Sequence, residues 1–191
     1  MRTMLMLLEL SPVQITVAKI LLLGLASIGP LVLGWVLIRE RQVGIVVKKF
    51  GGRSLPPGRL IALAGEAGYQ ADTLAPGLHF GYFRWQYRII KVPVTVVPQG
   101  EIALVVAADG AAIPAERILG KIVDCDNFQD ARKFLANGGE KGRQLGILTA
   151  GTYRLNLALF TVITSATASE HDMLGSQMRL HHVEPDMVGM S

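Results

Sequence analysis

The hydrophobic residues of the chain form one long run near the N-terminus and short, mostly alternating stretches after it. Residues 20–38 contain no charged side chain, and as a helix rising about 1.5 Å per residue they would extend roughly 28 Å, close to the hydrocarbon thickness of a bilayer. Ser11, Pro12 and Gln14 have the pattern of a capped helix N-terminus. The pattern therefore predicts a transmembrane helix over about residues 12–38.

The residues that flank this run predict where it meets the membrane surfaces. Lys19 can extend its ammonium toward the headgroups, Trp35 suits the opposite interface, and the arginines that follow end the segment. Basic residues are more frequent after the run than before it, so the positive-inside rule predicts a single-pass protein with its body in the cytoplasm. The predicted membrane-interface residues are Lys19, Trp35, Arg39, Arg41, Lys48 and Lys49.

Two other interpretations of the run remain open. A cleaved signal peptide would use the small residues Gly24 and Ala26, but the apolar run continues to Ile38, beyond such a site. A buried core helix is disfavoured because the run has no polar face to turn toward water. We interpret residues 1–41 as a membrane anchor.

Charge is unevenly distributed over the rest of the chain. Residues 39–98 contain nine Lys or Arg and three Asp or Glu, a net charge of +6, whereas residues 99–191 contain eight and eleven, a net charge of −3. A basic segment beside a membrane is attracted to anionic lipid. A solvated basic face explains the same charge, whereas nucleic-acid binding would need a recognition motif that the sequence does not contain.

Residues 42–98 have the pattern of a β-rich module. A β-branched strand follows Gln42 and a loop continues to Asp72. Aromatic and basic residues then alternate over residues 83–89, which predicts a strand whose rings face the core. The phase slips at Ile89–Ile90, which predicts a β-bulge or a bend. The rings at Phe80 and Tyr82 precede this alternation and remain candidates for lipid contact.

Residues 99–164 have the pattern of a second, β/α module. A strand follows Glu101, and a helix begins at an N-cap of Asp126 or Asn127 and ends at Asn137–Gly138. A loop, with or without one more helical turn, then leads to residue 149. Alternation over residues 155–161 predicts a further strand. Residues 165–191 are interpreted as a linker and the start of a further β module.

The two modules share a weak internal repeat. A leucine, a turn glycine and a following strand recur, with Gly77 and Gly151 in register. A repeat of this kind predicts that each unit is one supersecondary piece that stacks on its neighbour.

Candidate chemistry is sparse. The flanking charges of Asp124 and Asp126 disfavour a thiolate at the single cysteine, Cys125. Successive histidines of a strand point to opposite faces, which disfavours a metal site at the C-terminal polar cluster. An enzymatic site in the Gly/Ala loop is the weakest hypothesis, and we expect neither a catalytic, cofactor nor metal site. The cluster comprises His181, His182, Glu184 and Asp186, with Glu170, His171 and Asp172 nearby, and the loop offers Glu66, Tyr69 and Asp72.

The segments RQVGIVVKKFG, LAPGLHFGYF and RIIKVPVTVV after an N-terminal anchor resemble the start of an SPFH (band 7) domain, and in particular bacterial flotillin-like proteins. The resemblance implies a β-rich domain at the bacterial inner membrane that oligomerises and organises membrane microdomains. In that family PDMVG opens a further β module, followed by the main body and a coiled coil. These 191 residues contain no heptads, so we expect a fragment or a truncated form, whose assembly is in doubt.

The sequence thus predicts an α+β fold with an N-terminal transmembrane helix followed by β-rich SPFH-like modules with short helices. The expected function is a non-enzymatic membrane scaffold. Its expected partners are the lipid bilayer with anionic headgroups, further copies of the chain and other membrane proteins. The alternative is an accessory subunit that binds and regulates a membrane enzyme such as a protease.

Overall fold

Two helices and eleven short strands form the framework of the described part of the chain, which in the computed structural model comprises residues 11–32 and 34–180. The first unit follows a helix and contains six strands; the second contains five strands and a short helix. The elements are α1 (Pro12–Val32), β1 (Val36–Ile38), β2 (Gln42–Lys48), β3 (Ile61–Ala62), β4 (Gly68–Leu74), β5 (Gly77–His79), β6 (Tyr87–Pro93), β7 (Thr95–Val97), β8 (Ala103–Ala107), α2 (Ala131–Ala136), β9 (Gly142–Leu148), β10 (Gly151–Tyr153) and β11 (Phe160–Ile163), then 3-10 turns at Ala168–His171 and Gly175–Met178.

The start of α1 confirms the predicted cap. The backbone N–H of Gln14 donates to Ser11 Oγ at 3.3 Å, and the backbone N–H of Ser11 donates to Gln14 Oε1 at 3.0 Å. These reciprocal bonds satisfy donors that the first turn of a helix leaves without partners.

The predicted transmembrane helix over residues 12–38 is wrong. The helix ends at Val32, and residues 36–38 form β1, which pairs antiparallel with β5. Gly34 lies between them with a φ of +62°, a left-handed conformation that ends a helix. Across residues 11–32 and 34–180, no helix has both the length and the apolarity needed to cross a bilayer. The fold is therefore β-rich with short helices, without the predicted span.

The two units have the same topology. In the first, β2 lies between β4 and β6; in the second, β8 lies between β9 and β11. Each unit also has a two-stranded ribbon, β1–β5 in the first and β7–β10 in the second, in which Ile38 pairs with Gly77 and Val97 with Gly151. The shared register of Gly77 and Gly151 therefore reflects a repeated structure.

The repeat extends to a local hydrogen-bond motif. Gly68 and Gly142, the first residues of β4 and β9, both have positive φ, at +113° and +118°. Two residues later, Gln70 Nε2 donates to the Gly68 carbonyl at 2.9 Å and Gln144 Nε2 to the Gly142 carbonyl at 2.8 Å. A Gly-x-Gln sequence thus gives the first residues of β4 and β9 the same backbone conformation and hydrogen bond.

The aromatic stretch differs from its predicted form. Strand β6 begins only at Tyr87 and pairs with β2 in unbroken register, so the predicted β-bulge at Ile89–Ile90 is wrong. Residues 84–86 form a turn, in which the N–H of Gln86 donates to the Phe83 carbonyl at 2.9 Å. Trp85 lies on this turn and is 65% exposed, so its ring does not face the core as predicted.

The predicted start of the second helix is also wrong. Its N-cap is Asp130, whose carboxylate accepts from the backbone N–H of Lys133 at 2.8 Å. Asp126 and Asn127 have positive φ and belong to the turn before the helix. The predicted stop is confirmed, because Asn137 is the C-cap.

Two polar segments form strands that the pattern did not indicate. Residues 68–74 and 142–148, assigned from the sequence mainly to loops, are β4 and β9. The predicted continuous strand over residues 155–161 is interrupted by a turn at residues 157–159, so β11 begins only at Phe160.

The second unit contributes most of the main core, and the first unit packs on it. Ile61 and Ala71 of the first unit are each 2% exposed within this core. Asn156 of the second unit is fully buried and donates through Nδ2 to the carbonyls of Gln70 and Ala71, both at 3.0 Å. A buried side-chain amide therefore joins the two units through backbone groups.

We expect Asn156→Ala to lower the free energy of unfolding by about 2 kcal/mol, because it removes both bonds and leaves buried carbonyls without donors. Chemical denaturation of the full chain in mild detergent measures this loss. Asn137→Ala is the matched control, since Asn137 is exposed and donates to a single carbonyl. Equal losses in the two variants would contradict a joining role for Asn156.

Candidate functional site

The outer face of the β1–β5 ribbon is an exposed apolar surface. Leu37 and Leu78 are cross-strand partners and are 57% and 52% exposed. One position beyond the ribbon, the rings of Trp35 and Phe80 meet edge to face with centroids 6.0 Å apart. Four large apolar side chains thus cover one exposed face, which we call the ribbon face, and clusters of this kind mark interaction sites.

The opposite face of the ribbon holds it in place. Ile38 is buried in a cluster with Val46 and Leu74, and Val36 packs against that cluster. Because successive side chains of a strand point to opposite faces, packing these residues inward turns the ribbon-face residues outward. The exposed surface is therefore built on a fixed support.

A basic groove of about 610 Å³ adjoins the ribbon face and is lined in part by Trp35 and Leu37. The Nζ of Lys49 donates to the Arg84 carbonyl at 2.7 Å, which ties Lys49 to the turn before β6. The four ion pairs found among the described residues all involve other side chains, so the groove's cations have no carboxylate partner there. Its four cationic residues are Lys49, Arg84, Arg88 and Lys91.

Tyrosine rings form part of the groove wall. Tyr82 and Tyr87 line the groove, and their rings meet with centroids 5.5 Å apart. Burial raises the pKa of Tyr82, so its phenol is neutral at physiological pH and adds no negative charge. The groove therefore combines positive charge with aromatic surface, the composition that suits a phosphate group attached to an apolar molecule.

Helix α1 has apolar side chains exposed around its circumference. Leu21, Leu22 and Leu23 are 68%, 70% and 73% exposed although successive residues of a helix point in different directions. Because α1 ends at Val32 and β1 begins at Val36, this apolar surface and the ribbon face are close neighbours in the chain.

The structure separates the six predicted interface residues into distinct settings. Lys19 is exposed on α1, Trp35 lies on the ribbon face and Lys49 lines the basic groove. Arg39 and Arg41 line a different groove together with Leu37, in the turn before β2. Lys48 is half-buried, and its Nζ donates to the Gly65 carbonyl at 2.7 Å.

The sequence interpretation did not identify Leu37, Leu78, Arg84, Arg88 or Lys91 as interface residues. The available signal was the repeat, which aligns the turn glycine before Leu78 with that of the second module. It would have predicted a ribbon in each unit and hence a partner strand for residues 36–38.

Other candidate groups are engaged in local contacts. Arg132 donates a hydrogen bond to Asp72 that lowers the pKa of that carboxyl group. The carboxylate of Glu66 accepts from the Ala64 N–H at 2.8 Å, and burial raises the pKa of the Cys125 thiol.

Residues 11–32 and 34–180 contain no cluster of three metal-ligating side chains. The predicted polar cluster from His181 to Asp186 lies outside the described residues.

No protein-family profile matches this chain, and neither curated proteins nor solved structures include a significant match. The similarity to SPFH domains therefore stays a prediction, and the ribbon face and basic groove provide the physical basis for a functional proposal.

Proposed function

We propose that this chain is a membrane-surface scaffold module of the SPFH, flotillin-like type. It binds anionic lipid headgroups in the basic groove, places the ribbon face and α1 against lipid, and self-associates to organise the membrane around it. The observation that carries the proposal is that an exposed apolar surface adjoins a groove lined by four cations, which have no carboxylate partner among residues 11–32 and 34–180. The cytoplasmic face of a bacterial inner membrane, which presents anionic lipid, is the proposed location.

The two parts of the site act on different parts of a lipid. Each well-placed Lys or Arg contributes about 1 kcal/mol to the attraction toward an anionic membrane surface. The exposed leucine and aromatic side chains gain about 25 cal/mol for each Å² of apolar area that they bury among acyl chains. Aromatic residues such as Trp35 are favoured at the boundary between these regions.

Self-association is supported by the construction of the body from two similar units. Units that stack on one another within a chain offer a geometry that further copies can extend. Copies that bind lipid and each other would corral lipids and membrane proteins, which is the scaffold role that we propose.

Lipid contact is tested through the two tryptophans of the chain. In Trp85→Phe only Trp35 remains, and we expect brominated lipids in anionic vesicles to quench its emission, because Trp35 lies on the ribbon face. Vesicles of zwitterionic lipid alone are the comparison and should give weaker quenching. Unchanged Trp35 emission in anionic vesicles would remove the lipid-binding part of the proposal.

Self-association is tested by light scattering of the full chain in mild detergent, with the mass of bound detergent subtracted. We expect a protein mass of at least two chains, increasing with concentration. A strictly monomeric mass at every concentration would remove the scaffold part. Crosslinking in cell membranes that gives mainly one other protein would favour the accessory-subunit alternative.

A further inference from the structure

The first unit has a surface that receives the second unit. Asp109 of the second unit accepts hydrogen bonds through Oδ2 from the backbone N–H groups of Leu60 and Ile61, at 2.8 and 2.9 Å. Ile61 and the neighbouring Ala71 are buried beneath the second unit. Strand β3 and the middle of β4 are therefore a docking surface that is occupied within the chain.

The second unit carries the equivalent surface. Ala62 pairs in parallel with Gln70 in the first unit, and Gly120 pairs in parallel with Gln144 in the second. By this correspondence Ile118 occupies the position of Leu60, and Leu145 that of Ala71. The repeat thus reproduces the receiving surface.

In the second unit this receiving surface is open. Ile118 is 90% exposed, Ile122 is 69% exposed and Leu145 is 55% exposed. Together with Leu119 they line an open groove of about 580 Å³, which we call the receiving groove. Ile61 and Ala71 of the first unit are each 2% exposed, whereas Leu119 and Leu145 at the equivalent positions of the second unit are 36% and 55% exposed. These positions of the second unit therefore lack the partner that covers their equivalents in the first.

We propose that the receiving groove binds the first unit of a second copy of this chain, in a head-to-tail contact. In this arrangement, the contact that the two units make within one chain is repeated between neighbouring chains. The proposal rests on the self-association in the proposed function, but it does not depend on lipid binding.

The first unit presents an apolar counterpart to the receiving groove. The N–H of Lys49 donates to the Gln86 carbonyl at 2.8 Å, as the N–H of Ala108 donates to the Leu159 carbonyl at 2.7 Å. This correspondence places Phe50, which is 64% exposed, at the position of Asp109. Trp85, on the turn beside it, is 65% exposed.

Charge also favours a head-to-tail contact over a symmetric one. Residues 39–98 have a net charge of +6 and residues 99–191 a net charge of −3, so the overall charges of the two units attract, while the groove itself is lined by Arg117 and Lys121 as well as Glu116. A contact between two first units would bring like charges together. We therefore expect association through this surface to weaken as salt is added.

In the proposed contact, Phe50 of the second copy takes the position that Asp109 has within the chain. Within the chain, the Asp109 carboxylate accepts hydrogen bonds from two backbone N–H groups, and Phe50 cannot form these bonds. The contact between copies is therefore apolar at this position, and because it joins two molecules it depends on the protein concentration. Head-to-tail contacts extend into rings or open filaments instead of closing as a pair.

Cysteine crosslinking distinguishes this geometry from others. Ile118→Cys and Phe50→Cys variants of the full chain are mixed in mild detergent and oxidised, and we expect a crosslinked dimer in the mixture but not in either variant alone. The double variant should give a ladder of higher species. Wild type controls for the buried Cys125, and Leu174→Cys mixed with Phe50→Cys controls for exposure, since Leu174 is 68% exposed outside the groove.

Each outcome decides the proposal. Crosslinking of Ile118→Cys with itself would show a symmetric contact and overturn it. If light scattering shows multimers but the mixed crosslink does not form, the proposed head-to-tail surface is wrong and self-association still holds. A strictly monomeric mass would contradict both proposals. As a second measurement, Ile118→Asp should weaken self-association about tenfold, as expected for a central apolar contact, while Leu174→Asp leaves it unchanged.

Discussion

Asp109→Ala is expected to lower the free energy of unfolding by about 3 kcal/mol, the largest effect of a single substitution that we predict. The Asp109 side chain is 1% exposed and accepts from the N–H groups of Leu60, Ile61 and Gly110, while Arg59 Nη1 lies 3.6 Å from its Oδ1. Alanine would leave these donors without their acceptor inside the contact between the units. For a chain of this size the melting temperature should fall by roughly 6–12 °C, as measured by circular dichroism in mild detergent.

Asp109→Asn is the conservative comparison. The amide keeps one oxygen acceptor and the shape of the side chain, so we expect a smaller loss of stability. Asp124→Ala, at an exposed carboxylate of the same unit, should change the melting temperature little. An Asp109→Ala chain as stable as Asp124→Ala would mean that the carboxylate does not join the units.

Replacing the four cations of the basic groove by glutamine is expected to weaken binding to anionic vesicles strongly. At about 1 kcal/mol per cation the sum is about 4 kcal/mol, or roughly a thousandfold in affinity when all four reach the headgroups. Vesicle flotation at low and at physiological salt measures the change, and the difference from wild type should shrink as salt is added. The residues are Lys49, Arg84, Arg88 and Lys91.

A control variant removes the same charge elsewhere. Glutamine at Lys141, Arg143, Arg154 and Arg179, which are basic residues of the second unit outside the receiving groove, lowers the net charge equally. If binding depends on the groove, this variant retains most of its affinity for anionic vesicles, and both variants bind zwitterionic vesicles alike through α1 and the ribbon face. Equal losses in the two variants would show that net charge alone drives binding.

Local signals in the sequence predicted part of the fold well. The cap of α1, strands β2 and β8, and the end of α2 at Asn137 depend on residues close in the chain, and the structure has them where predicted. The end of α1 was missed because the apolar run continues to Ile38, and only the pairing of Leu37 with Leu78, distant in sequence, makes residues 36–38 a strand.

Strands β4 and β9 were missed for a related reason. Their sequences, GYQADTL and GRQLGIL, contain glycine and polar residues without regular alternation. They form strands because β2 and β8 offer them backbone partners and because a glutamine bonds locally at each strand entry. Tertiary contacts determined the strand conformation of these segments, and the periodicity of the sequence does not reveal such contacts.

The sequence predicted the positive charge of the candidate site but not the ribbon and the groove that form it. Trp35 is predicted as an aromatic residue at a membrane interface and Lys49 as a basic residue that follows the apolar run, and both lie at the site. Lys48, chosen for the same reason, is half-buried and bonded to a loop carbonyl. Arg84 and Lys91 line the groove because β6 and the turn before it lie beside β2. This pairing is long-range in sequence, so the alternation of residues alone did not predict it.

Helix α2 makes the duplicated halves unequal. It follows a turn containing Phe128 and carries Phe134, and these rings cluster with Phe160 at centroid distances of 5.0–6.1 Å. Among the described residues, the separate cluster of the first unit has three buried aliphatic members, against which Tyr82 and Tyr87 pack while remaining partly exposed. Local opening is easiest where few apolar contacts resist it, so we expect the first unit to open locally at a lower free energy than the second. The two units are thus expected to differ in local stability although they share one topology.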